Sequence, residues 1–143
     1  MYLFTIFAEQ SFQNPLKRRI IMASFELNQE NLESSIKDNE ILLIDFWAEW
    51  CGPCRMFGPI FEKAAEKHKD IAFAKCDTEA EREVAGSFGI TSIPTIAAFR
   101  DGIMVYMQPG VLPEPALDEL IQKIKDLDMD KVRAEVEEQQ KKA

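Results

Sequence analysis

Three cysteines stand at positions 51, 54 and 76. Two of them close the run Cys51-Gly52-Pro53-Cys54. Two thiols at this spacing can carry out dithiol–disulfide exchange, in which one ionised thiol opens a foreign disulfide and the second resolves the mixed disulfide. Cys51 is expected at a helix N-terminus, exposed, where unpaired amides and the helix dipole favour a thiolate. Cys54 is expected one turn on, shielded, and within reach of Cys51 for a disulfide. Gly52 and Pro53 limit the freedom of that turn and influence how readily the pair oxidises. Taken alone, the spacing also suits a metal site. A zinc site needs four ligands, however, and the only histidine is His68, with no second C-x-x-C in the chain. Three clustered cysteines are also too few for a secreted disulfide framework. A redox pair in a reducing compartment is the reading left, with no metal bound.

The elements that must position this pair are legible around it. A length of 143 residues with 46% hydrophobic content suits one packed core. Asn28 is placed to cap a helix running to about Asp38, with Leu32 and Ile36 on its buried face. Ile41 to Trp47 is almost continuously apolar, as in a strand buried on both faces of a parallel sheet, and Asp45 is its one charge. A helix then starts at the cysteines and runs to about Lys67, with Pro53 in its first turn and Pro59 predicting a kink. Ile71 to Cys76 reads as a second buried strand, and Glu79 to Phe88 as a helix ending near Gly89. Pro94–Phe99 and Ile103–Met107 flank the hairpin signal Asp101-Gly102. Leu117, Leu120, Ile121, Ile124 and Leu127 stripe a last helix. The order βαβ, hairpin, helix predicts an α/β fold, a central mixed sheet with helices on both faces.

The segment Asp45-Phe46-Trp47-Ala48-Glu49-Trp50-Cys51-Gly52-Pro53-Cys54-Arg55 closely resembles the active-site segment of the thioredoxin family. Ile93-Pro94-Thr95 and Gly110 stand at matching places, and the resemblance covers about residues 25 to 126. It implies the thioredoxin fold and reduction of protein disulfides, with Cys51 attacking the substrate and Cys54 releasing the product. Asp45 corresponds to the buried carboxylate that moves the Cys54 proton, and Lys75 to its charge partner on the neighbouring strand. Burial raises a carboxylate pKa and a nearby ammonium opposes that, leaving a group able to exchange protons. The resemblance further implies that Trp50 covers the site, that Gly52 and Pro53 contribute to the docking surface, and that Pro94 is a cis-proline facing the disulfide. The Ile93 backbone would pair with an extended substrate segment beside Gly110. It implies no bound cofactor, with electrons drawn from NADPH through a thioredoxin reductase. Substrates would be proteins with accessible disulfides, such as ribonucleotide reductase or peroxide-detoxifying enzymes.

The remaining features have simpler readings. A charge in a buried strand is costly unless paired or useful, which favours a functional Asp45 over a structural one. Lys75 could instead snorkel to solvent. Trp47 reads as core and Trp50 as surface. Cys76 stands where the family usually has an aliphatic residue and reads as an inert core thiol, and His68 as a solvated surface residue. Pro109 removes a backbone donor at the rim of the expected groove. Residues 24–127 are expected to form the thioredoxin domain, with 128–143 a charged C-terminal helix or fraying tail. Residues 1–23 are expected to be a disordered leader or an extension ahead of an alternative start at Met22. The leader has no secretory pattern, while Lys17-Arg18-Arg19 gives it a weakly transit-peptide-like balance. A net charge of -8 argues against nucleic-acid binding. No run approaches the ~20 apolar residues of a membrane span. A cytoplasmic monomer is expected, with a mitochondrial location as the alternative.

Overall fold

The computed structural model describes residues 23–142. Of the leader expected over residues 1–23, residues 1–22 lie outside the described residues. Strands β1 (Phe25–Glu26), β2 (Ile41–Trp47), β3 (Ala72–Asp77), β4 (Thr95–Arg100) and β5 (Ile103–Pro109) form a sheet in the order β1-β3-β2-β4-β5. The first three pair in parallel, and β2–β4 and β4–β5 are antiparallel, so the sheet is mixed as expected. Helices α1 (Leu32–Asp38), α2 (Gly52–Lys67), α3 (Arg82–Ser87), α4 (Glu114–Lys125) and α5 (Met129–Lys142) complete the described elements.

β2 is central because its side chains suit burial from both sides, and its first six residues are buried. Its alternation divides the core in two. Ile41 and Leu43 pack with Phe57 and Phe61 of α2, Phe73 of β3, and Leu117 and Ile121 of α4. Leu42, Ile44 and Phe46 pack on the opposite face with Val84 of α3, Phe99 and Cys76. Phe61 meets Phe73 edge-on at 5.2 Å between ring centres, a geometry worth about 0.5–1.5 kcal/mol beyond area burial. Asp45 therefore shares the Ile41–Leu43 face and points toward α2.

Several element boundaries differ from expectation for local reasons. Asn28 does not cap α1. Its side-chain oxygen accepts from the Asn31 amide at 2.9 Å while Asn31 returns the bond at 2.8 Å, closing a turn that delays the helix to Leu32. α3 begins at Arg82 rather than Glu79, because Asp77 Oδ1 accepts the Glu79 and Ala80 amides and holds residues 77–80 as a turn. α2 continues through Pro59 to Lys67. The hairpin turn has Asp101 at φ 51° and Gly102 at φ 79°, the left-handed conformations that the Asp-Gly pair admits.

Two polar clusters, one of hydrogen bonds to backbone carbonyls and one of ion pairs, fix the outer helices. Arg100, at the end of β4, donates through Nη1 to the carbonyls of Ile124, Lys125 and Leu127 at 2.6, 2.8 and 3.3 Å, closing the C-terminus of α4. Lys67 and His68 both meet Asp118 of α4, at 2.7 and 2.9 Å. His68 is thus not the solvated surface residue expected, because its ring bridges α2 to α4 with the side chain 18% exposed. The polar C-terminal segment is helical, docked by buried Met129 and by Arg133 reaching Asp101. No described helix is long and apolar enough to cross a membrane.

Candidate active site

The reactive pair sits where the C-terminal end of β2 turns into α2. Cys51 caps the helix with extended backbone, and its sulfur accepts the Cys54 amide at 3.2 Å. Cys51 and Cys54 form a disulfide with their Cα atoms 5.2 Å apart. Pro53 lies in the first turn, where no amide hydrogen is needed. Against expectation, Cys51 is only 3% exposed, close to the 4% of Cys54. In the disulfide Cys51 packs with Ala48 and Cys54 and against Ile93.

The loop before β4 forms the facing wall. The Ile93–Pro94 peptide bond is cis, and the Ile93 carbonyl oxygen lies 3.7 Å from Cys51 Sγ. Gly110, at φ 111°, donates its amide to the Pro94 carbonyl at 2.8 Å and ties the end of β5 to this wall. Pro109 pairs in register with Thr95 and forms the last residue of β5. Gly52 and Pro53 are exposed beside them. Trp50 is 68% exposed, and its indole N–H donates to Glu79 Oε1 at 3.1 Å. Arg82 holds the other Glu79 oxygen, also at 3.1 Å. Glu79 escaped the sequence reading because it lies 29 residues away, although the Asp77 turn that aims it has a legible signal.

Beneath the pair lies the charged element of the site. Asp45 is fully buried, and neither carboxylate oxygen has a hydrogen-bond partner among the described residues. Burial pushes its pKa up to about 7, with the Lys75 ammonium opposing the rise. Asp45 and Lys75 are register partners across β2 and β3. Lys75 does not simply snorkel away, since its ammonium sits 4.9 Å from the centre of the Trp47 ring. Trp47 is half-buried rather than full core. A recess on the α2 flank, lined by Trp47, Cys54, Gly58, Pro59, Glu62 and Lys75 among others, brings Cys54 and Lys75 to one cavity. Its rim carboxylate, Glu62, accepts from the Ala23 and Ser24 amides and the Ser24 hydroxyl. The sequence reading missed both Gly58 and Glu62, which carry no motif.

Cys76 is fully buried on the opposite face. Burial, with Glu81, Asp77 and Asp45 adding to it, pushes its thiol up to about 12. A thiol so placed is neither ionised nor accessible at neutral pH, which suits an inert core residue. Among the described residues no group of three or more His, Cys, Asp or Glu side chains is placed to hold a metal ion.

The sequence model of the thioredoxin family matches residues 23–126, the span that holds the disulfide, the cis-proline wall and the Asp45–Lys75 pair. The chain belongs to the thioredoxin family. It is 54% identical over 121 residues to a putative thioredoxin 2 of Streptomyces coelicolor, covering 85% of this chain and 90% of that one. A thioredoxin of Mycoplasmoides gallisepticum is 39% identical over 94 residues, covering 66% and 94%. Among solved structures, a mutant thioredoxin of Halobacterium salinarum superposes with TM-score 0.68 at 35% identity, covering 74% of this chain and 95% of that one. The fold expected from the sequence is thus the thioredoxin fold. With the Cys51–Cys54 pair in place, the protein is a thiol-disulfide oxidoreductase of the protein-disulfide reductase type, which as a thioredoxin needs no bound cofactor.

Proposed function

We propose that the site reduces protein disulfides by a two-step exchange in which each residue has a defined part. The Cys51 thiolate attacks one sulfur of the substrate disulfide, forming an intermolecular S–S bond and expelling the first substrate thiolate, which takes a proton from solvent. Cys54 gives up its proton and attacks Cys51 Sγ, forming the Cys51–Cys54 disulfide and expelling the second substrate thiolate. The protein dithiol loses two electrons and the substrate gains them. Asp45 accepts the Cys54 proton and returns it on the reverse path, and Lys75 tunes how readily it does so. The observation carrying this reading is the buried Asp45, without a hydrogen-bond partner and register-paired to Lys75, on the strand that delivers the cysteines. A carboxyl that titrates near 7 can give and take a proton at working pH.

Trp50, Gly52, Pro53, Ile93, Pro94 and Gly110 frame the groove in which an extended substrate segment pairs with the Ile93 backbone. Electrons return from NADPH through a thioredoxin reductase, and the substrates are proteins with accessible disulfides. The protein acts as a monomer in the cytoplasm, where a reducing poise keeps the pair as a dithiol. Insulin reduction tests the scheme. Cys54→Ser should accumulate a mixed disulfide through Cys51 and turn over at least a hundredfold more slowly, while Cys51→Ser should form no adduct. Turnover surviving in the double variant would refute it. Redox titration of the pair against glutathione then separates reductant from oxidant.

A further inference from the structure

α2 carries a glycine where helix economy argues against one. Gly58 lies in mid-helix, does not have a positive φ, and is therefore not required for backbone freedom. A glycine there costs roughly 0.5–1 kcal/mol against alanine. A Cβ built at this position meets a single neighbour, the Lys75 ammonium nitrogen, at 3.7 Å. Gly58 also lines the recess shared by Lys75 and Cys54. The other walls have little freedom to adjust. Trp47 is stacked against Lys75, Pro59 is fixed in the helix, and Glu62 is held by the Ala23–Ser24 segment.

We propose that Gly58 is a positioning residue for the reaction: by withholding a side chain it keeps the recess open and the Lys75 ammonium hydrated, and so governs proton exchange between Asp45 and solvent. This rests on the roles given above to Asp45 and Cys54. The titratable and charged groups around the recess and Asp45 are Lys75 on β3, Cys54, Arg55 and Glu62 on α2, Glu49 in the preceding turn, and Glu26 of β1 in register with Lys75, with Cys76 behind Asp45 on the other face. β4 offers only apolar Ile96 opposite Asp45. Lys75 is the one group among them that opposes the rise in the Asp45 pKa. An alanine Cβ at 3.7 Å only touches Lys75, whereas a longer side chain at 58 fills the recess, expels its water and displaces the ammonium, and both effects favour the protonated carboxyl.

A different role for Gly58 would be relief of the crowding that precedes Pro59. The two roles separate by experiment. The rate at which the mixed disulfide resolves into the Cys51–Cys54 disulfide is followed by stopped-flow tryptophan fluorescence across the pH range around 7. The variants are Gly58→Ala, Gly58→Leu, Asp45→Asn and, as a helical control with nothing within 4 Å of its added Cβ, Gly86→Ala. The pH midpoint should rise by about one unit in Gly58→Leu, with little change in Gly58→Ala and none in Gly86→Ala. The rate at pH 7 should then fall about fivefold in Gly58→Leu, with thermal midpoints within a few degrees of native. If Gly58→Ala melts lower and neither Gly58 variant moves the pH midpoint, the pre-proline role stands and this proposal fails. If Asp45→Asn itself leaves the pH profile intact, it is the assignment of Asp45 that fails.

Discussion

Asp45 is the residue at which stability and chemistry pull in opposite directions. Folded, it titrates at about 7 against an ordinary value of 3.8. The native chain therefore holds the proton more tightly than the unfolded one, and raising the pH between those values favours unfolding. Below about pH 4 both states are protonated and there is no penalty, while above about 7 both are ionised and the penalty is complete. Native stability relative to Asp45→Asn should accordingly decline by a few kcal/mol from about pH 4 to about 7 and then level off. Urea titrations at both ends of that window check this, and a difference that is the same at pH 4 and pH 8 contradicts it. This residue was legible in the sequence because a lone carboxylate in a run of seven strand residues has no cheap explanation. The burial of Cys51 was not legible, since it depends on Ile93 arriving from a loop 42 residues on. His68 was misread for the same reason: its partner Asp118 stands 50 residues away.

At the scale of elements, what the sequence reveals follows periodicity and what it hides follows tertiary pairing. β2, the hairpin and α4 were readable from apolar runs, an Asp-Gly turn and a stripe. β1 was not, because two exposed residues form a strand only by pairing with Ala74 and Lys75 of β3. Arg100 is another case, ending a strand by sequence and closing a helix in space. Its Nη1 serves three carbonyls at the end of α4, a place where the helix dipole also favours a cation. Arg100→Met should strip those acceptors and cost about 2–3 kcal/mol. Chemical denaturation measures the loss, and the rate constant for disulfide reduction should be unchanged, since the residue lies far from the cysteines in the sheet. A loss below about 0.5 kcal/mol would mean that water replaces the cap without penalty.

Across the whole molecule, the sheet carries its chemistry at one end and its staples at the other. Lys63, Lys67 and His68 of α2 join Glu114 and Asp118 of α4, while Arg133 of α5 joins Asp101 at the hairpin. The Arg133–Asp101 pair is largely exposed and contributes little, so α5 is held mainly by burial of Met129. Ending the chain after Leu127 should therefore lower stability by about 1–3 kcal/mol and leave insulin reduction intact. Thermal melting beside the activity assay tests this, and a truncated chain that loses activity while still folded would assign α5 a part in partner recognition. The net charge of -8 favours solubility by keeping molecules apart.

The burial of Cys51 and Cys54, at 3% and 4% exposure, bears on which reductants recharge the pair fastest. A small thiol diffusing in solution meets both cysteines packed with Ala48 and against Ile93, and must displace those contacts unaided. A macromolecule that lays a chain segment along the cis-proline wall can displace those contacts while it docks. Exchange with small thiols should therefore be slower than exchange with a docking protein, although both reach the same equilibrium. Electrons then pass faster between recognised proteins than between the carrier and the free thiols around it.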